Sequence, residues 1–112
     1  PWYSLGSADM LEVAQMGLHV AQMTSQARMR ACFDAVTVNP ARILGLADYG
    51  IEVGKAADFV LLQARDPVEA IRLRAARLVV VRRGRVIARS EPAQATLSLP
   101  GRPAQVDWMT RR

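Results

Sequence analysis

The spacing of apolar and polar residues changes character near residue 48. Before that point it is helical. At 100° per residue, Asp9, Glu12, Gln15, His19 and Gln22 fall within an arc of about 140°, while Met10, Val13, Ala14, Gly17, Leu18, Val20 and Ala21 cover most of the remainder. Ser7 is the expected N-cap, with Asp9 and Glu12 placing negative charge where the helix dipole favours it, and the helix is predicted to run to about Met23. So wide an apolar arc, with Met16 and Met23 intruding on the polar stripe, asks for burial on more than one side. A second helix is predicted from about Gln26 to Val38, stopped by Asn39-Pro40 because the residue before proline avoids the α region. Asn39 is then the expected cap of a short third helix with Pro40 at its first position, closed by Gly45 at positive φ.

From Asp48 the pattern shortens to strand length. Gly50 and Gly54 mark turns, and Asp58-Phe59-Val60-Leu61-Leu62 reads as a strand. Pro67 is placed to open a short helix through about Arg74. Leu78 to Arg82 and Arg85 to Ala88 predict a hairpin turning at Gly84, and Ala95 to Leu99 a further strand before Pro100, Gly101 and Pro103 interrupt the pattern. The tail from Gln105 to Arg112 is poorly specified.

A chain of 112 residues, 51% hydrophobic and 22% charged, has the composition of an ordinary globular domain and excludes disordered and collagen-like classes. The longest apolar runs, such as Leu78 to Val81, are far shorter than the roughly 18 residues of a membrane span, so neither a membrane partner nor a secretory leader is expected. The single cysteine, Cys32, excludes an internal disulfide and suits a reducing, cytoplasmic compartment. Net charge is +5, and it is unevenly spread: residues 1–40 carry two basic and three acidic groups, residues 41–112 thirteen and seven. Arg72, Arg74, Arg77, Arg82, Arg83, Arg85 and Arg89 occur with no acid between Glu69 and Glu91. They could form a basic binding surface, but no aromatic residue is interleaved for base stacking, so a solvated face is the expectation and nucleic acid is not an expected partner.

The chemistry inventory is sparse. There is no glycine-rich phosphate loop, and Gly6-Ser7 lacks the surroundings of a nucleophile elbow. One His and one Cys cannot form a three- or four-ligand zinc site without several carboxylates. His19 shares its stripe with Glu12 and Gln15 and reads as a hydrogen-bonded surface or interface residue rather than a ligand or acid-base group. Cys32 beside Phe33 reads as a buried inert thiol, and Asp58 as a maker of local backbone hydrogen bonds.

Family resemblance adds what this chemistry lacks. The succession Asn39-Pro40-Ala41-Arg42-Ile43-Leu44-Gly45-Leu46, Tyr49-Gly50-Ile51, Gly54-Lys55-Ala56-Ala57-Asp58-Phe59-Val60-Leu61-Leu62 and Val81-Arg82-Arg83-Gly84-Arg85-Val86-Ile87-Ala88 resembles the C-terminal end of metal-dependent amidohydrolases. Pro1 to Gly6, Met16-Gly17-Leu18-His19-Val20, Asp48 to Ile51 and Pro92 to Ala95 are similar to its bacterial cytosine deaminase branch. The resemblance implies an α/β parent with a (β/α)8 barrel and a composite β-sandwich. Residues 1–47 would be the C-terminal helices of the barrel and 48–112 a sandwich portion and tail. It implies a divalent metal, zinc or iron, held by barrel-strand histidines and by an aspartate that the family places just before the Pro-Trp-Tyr matched by Pro1 to Tyr3. The metal-activated water attacks the ring carbon bearing the amine, a carboxylate shuttles protons and ammonia leaves. No catalytic or metal-binding residue is therefore expected in this segment, and the chain alone is expected to be inactive. Trp2 matches a tryptophan lining the pyrimidine pocket, with a loop tryptophan packed under the barrel rim as the competing expectation. His19 matches a helix histidine that is not a ligand. The implied partners are the rest of the barrel, the N-terminal sandwich strands, a pyrimidine-like substrate and further subunits of a homo-oligomer. Two alternatives stand beside this reading: another amidohydrolase acting on a cyclic amide, and a non-enzymatic assembly module using the Arg72 to Arg89 surface.

Overall fold

The computed structural model of the chain describes residues 6–105. Three helices come first: α1 (Met10–Val20), α2 (Gln26–Asp34) and α3 (Val38–Ile43). Strand β1 (Phe59–Leu62), helix α4 (Pro67–Leu73), and strands β2 (Arg77–Arg82) and β3 (Arg85–Arg89) follow. The strands form an antiparallel sheet in the order β1-β2-β3, with β1 and β2 joined through α4.

The first helix starts later than its sequence suggests. Asp9, not Ser7, is its N-cap, accepting from the Leu11 amide at 2.7 Å. Ala8 takes a φ of 59°, which breaks the helix between the two candidates, and Ser7 donates to the Glu12 carboxylate instead of capping. The helix also stops at Val20 rather than Met23. Gln22 adopts φ 52°, and the Met23 amide donates to the Leu18 carbonyl, the 6→1 bond of a Schellman ending. The second helix likewise stops short, at Asp34 instead of Val38, where the Thr37 hydroxyl folds back onto the Phe33 carbonyl at 2.9 Å. Thr37 rather than Asn39 then precedes α3, and Pro40 sits third in it, still within the first turn where no amide proton is required. Gly45 closes α3 at φ 64°, as predicted.

The second half follows its punctuation closely. Pro67 opens α4 behind an Asp66 cap, and Arg83 and Gly84, at φ 47° and 74°, make the two-residue hairpin turn. The predicted strand from Ala95 to Leu99 is absent. Among the described residues that segment makes one isolated bridge, Thr96 with Gln105. The chain just before it is held elsewhere: the Gln63 side-chain amide donates to the Ala93 carbonyl at 2.8 Å and accepts from the Ala93 amide at 2.9 Å, which ties residues 92–94 across the end of β1 as a strap.

The core lies among the helices. Leu11, Ala14 and Leu18 from α1, Cys32 from α2 and Ile71 from α4 pack together, with Met23, Met29, Phe33 and Val36 at the margin. Ile71 has no exposed surface. Thus α4, although it lies between two strands in sequence, packs on both α1 and α2 and keys the sheet to the helices. Much apolar surface is left over. On α1, Met10, Val13, Met16 and Val20 form an exposed side, with Val20 78% accessible, and Ile43 at the end of α3 and Ile51 beyond it are 84% and 91% accessible. Total accessible surface is 9438 Å², against about 6100 Å² expected for a self-contained globule of this mass.

Candidate functional site

Trp2, the one substrate-contacting residue expected from the sequence, lies outside the described residues. The turn that follows it in sequence is well defined. Gly6 has φ 88° and Ala8 φ 59°, and between them Ser7 donates both its amide (3.0 Å) and its hydroxyl (2.6 Å) to Glu12 Oε2. Asp9 caps α1 and takes a two-pronged guanidinium from Arg77, the first residue of β2, with Nη1 to Oδ2 at 2.5 Å and Nη2 to Oδ1. Arg74, at the end of α4, stands 4.0 Å from Glu12 Oε1. The Arg77 hydrogen bond is the largest cause holding the Asp9 carboxyl below its ordinary range, against the opposing effect of burial, and the same pair raises Arg77. Hydrogen bonds from the Ser7 hydroxyl and amide do the same to Glu12.

The other singled-out residues are dispersed. His19 is exposed, with Nδ1 2.8 Å from the Gln15 carbonyl. Because a carbonyl oxygen only accepts, that contact assigns the donor role to Nδ1. The ring lines an open cleft of about 560 Å³ with Gln15, Gln22, Met29 and Arg72. Cys32 is buried, its thiol donating to the Ala14 carbonyl at 3.1 Å across the α1–α2 contact. Asp58 accepts from the Arg83 amide at 2.5 Å, a bond to backbone but 25 residues away, which pins the hairpin turn beside β1. Among the described residues no three of His, Cys, Asp and Glu gather as a metal-binding set, so these residues do not fit the family's divalent metal. Nor is any described helix long and apolar enough to cross a membrane.

The arginine run divides in two. Arg77 and Arg74 face carboxylates of α1, and the Arg72 carbonyl accepts from Gln15 Nε2 at 3.1 Å, so this half stitches the α4–β2 connection to α1. Arg82, Arg83, Arg85 and Arg89 are exposed on the hairpin. A larger cleft, about 650 Å³, opens between α4, the end of β1 and the strap, lined by Leu62, Leu73, Ala75, Leu78 and Gln105. Two of its polar side chains are engaged: Gln63 by Ala93, and Glu69 by Arg65 through bonds of 2.7, 3.1 and 3.0 Å.

Sequence reasoning missed both carboxylate clusters. The signal for one was present, since Arg65 and Glu69 are four apart and Asp66-Pro67 precedes Glu69 at capping-box spacing. Asp66 accepts from the Glu69 amide at 2.9 Å, which lowers its carboxyl, and Arg65 lowers that of Glu69. No local signal marks Asp9 and Arg77 as partners, because they are 68 residues apart.

Comparison with known proteins bears on this arrangement. An amidohydrolase family profile matches residues 1–88. Among curated relatives, an N-isopropylammelide isopropyl amidohydrolase of Pseudomonas sp. (strain ADP) is 35% identical over 91 residues, covering 80% of this chain and 23% of its own. A pterin deaminase of Rhizobium rhizogenes (strain K84 / ATCC BAA-868) is 38% identical over 93 residues, covering 82% and 21%. Among solved structures, 5-methylcytosine deaminase from Klebsiella pneumoniae liganded with phosphonocytosine superposes with a TM-score of 0.77 at 37% identity, over 89% of this chain and 24% of that one. Its complex with 5-fluorocytosine gives 0.78 at 36%, over 91% and 24%. The chain therefore spans about a quarter of the length of the relatives it matches. From the profile and these shared folds together, the chain belongs to the amidohydrolase family.

Proposed function

We propose that the chain is the C-terminal portion of an enzyme that hydrolytically deaminates cytosine or a related amino-heterocycle, releasing ammonia. The observation that carries this reading is the superposition on 5-methylcytosine deaminase, 37% identical across nearly all of this chain yet only a quarter of that one. In this reading residues 1–47 are barrel helices, residues 48–112 belong to a composite β-sandwich, and α4 locks the two together through Ile71. The exposed side of α1, with Met10, Val13, Met16 and Val20, meets the remainder of a (β/α)8 barrel. The half-exposed sheet meets strands contributed by another part of the chain. Trp2 supplies a flat wall for a planar ring. The divalent metal that the resemblance implies, zinc or iron, would be held outside the described residues, where it would supply activation of water. The enzyme works in the cytoplasm as a homo-oligomer on a small-molecule substrate.

The test is hydrolysis by the full-length enzyme, loaded in turn with Zn²⁺ and Fe²⁺, read as ammonia release from cytosine, 5-methylcytosine and pterin and as isopropylamine release from N-isopropylammelide. Release from at least one of the three amino-heterocycles is expected. Turnover of N-isopropylammelide alone would move the chain to a different amidohydrolase activity, and inertness towards all four would sink the reading.

A further inference from the structure

We propose that the cleft at the end of α1, between Arg72, His19 and the thioethers of Met23 and Met29, is a binding site for a small carboxylate with an apolar body. The cleft is built by the way α1 ends. The Met23 amide donates to the Leu18 carbonyl at 2.9 Å, and this closing turn, with Gln22 at φ 52°, folds Met23 back toward Leu18. Leu18 is 7% exposed and belongs to the core, and Met23 and Met29 pack against that core while lining the cleft. The floor is therefore apolar and anchored. Its volume of about 560 Å³ falls within the roughly 300–1,000 Å³ of small-molecule pockets.

Gln15 sets the polar side. Its backbone carbonyl accepts from His19 Nδ1 at 2.8 Å, and its side-chain Nε2 donates to the Arg72 carbonyl at 3.1 Å. One residue thus holds both the imidazole and the α4 backbone that carries Arg72, next to the fully buried Ile71. Among the described residues Arg65, Arg74 and Arg77 each face a carboxylate, whereas Arg72 has none within ion-pair distance, and no Asp or Glu lines the cleft. A guanidinium without a counter-charge beside an apolar floor selects its ligand twice over. The planar fork matches a carboxylate, and the floor favours an apolar body over a hydrated inorganic anion. With Nδ1 committed to the Gln15 carbonyl, a protonated His19 still offers Nε2–H as a second donor.

The probe is benzoate, titrated into the full-length enzyme carrying ¹³C-methyl methionine and followed by NMR, a readout that needs no turnover. The Met23 and Met29 signals are those lost in Met23→Leu and Met29→Leu, swaps that conserve volume at partly buried positions. Both signals should shift and saturate with a dissociation constant on the order of 1 mM, and Arg72→Gln should weaken that binding about ten-fold. Arg72→Lys, which keeps the charge but not the fork, should fall between the two. Arg72 is exposed, so neither substitution disturbs the core. Benzamide, the same ring without the charge, should give no saturating shift. No response to about 20 mM benzoate, or an unchanged affinity in Arg72→Gln, would overturn the site. Equal affinity for benzamide would reduce it to an apolar cleft, and equal affinity for inorganic phosphate to a bare cation contact; either result overturns the proposal.

Discussion

In the helical layer Leu11, Ala14, Leu18, Cys32 and Ile71 close around one another, whereas no strand residue of the three-stranded sheet is buried. The sheet is not less apolar. Leu78 to Val81 is a continuous apolar run, the pattern of a strand covered on both faces, yet all four residues stay half-exposed. The contrast shows where this chain can complete its own packing and where it cannot. Helices α1, α2 and α4 meet each other and bury one side. Among the described residues the opposite side of α1 and the whole of β3 stay exposed, and β1 and β2 are only partly covered. Helix α4 belongs to both regions, since it is threaded between β1 and β2 but buried among helices.

The largest test of that contrast is at α4. Ile71→Ala leaves a cavity in the core and should cost about 3–4 kcal/mol, read from urea unfolding. Its counterpart on the sheet is Ile87→Ala in β3, where the side chain is exposed. In the 112-residue chain it should stay within about 0.5 kcal/mol, and in the full-length enzyme it should rise to about 1–2 kcal/mol as other strands cover it. Equal small effects in both would break the claim that the sheet is covered in the enzyme.

The link between the regions is next in size. Asp9→Asn should cost about 1 kcal/mol near neutral pH, the value of a charge-assisted bond discounted for partial exposure. Because the folded Asp9 carboxyl lies below its unfolded value of about 3.9, this contribution is present above that pH and fades as pH falls through the folded value. The variant should therefore match its parent in melting temperature in strong acid and diverge from it above about pH 4. The smallest expected effect lies at the end of α1. Gln22→Gly relieves a left-handed backbone at φ 52° and should stabilise by about 0.5 kcal/mol, visible as a small rise in melting temperature.

That last position shows what the sequence could and could not reveal. Three helices end with the same 6→1 bond, from Met23 to Leu18, from Leu46 to Ala41 and from Ala75 to Ala70. Only the second carries glycine at the left-handed position, Gly45, and only there was the pattern unambiguous. Gln22 and Arg74 adopt the same conformation without advertising it. Ser7 failed as a cap for a related reason, since the left-handed Ala8 that displaces it has no signature in its side chain. By contrast Pro67 fixes its own φ and Gly84 takes positive φ without steric cost, and the elements they punctuate were readable. The family was legible in the stretches Asn39 to Leu46, Tyr49 to Ile51, Gly54 to Leu62 and Val81 to Ala88 that resemble it. The Asp9–Arg77 contact was not, because it exists only once α4 has docked.

The proposal at the centre of this account is that the chain contributes scaffold to a deaminase whose reactive groups lie elsewhere in the enzyme. Ammonia release from cytosine, measured side by side for the full-length enzyme and the 112-residue chain with added Zn²⁺ or Fe²⁺, tests it most directly. The prediction is release by the full-length enzyme and none by the chain alone. Measurable release by the chain alone would contradict it.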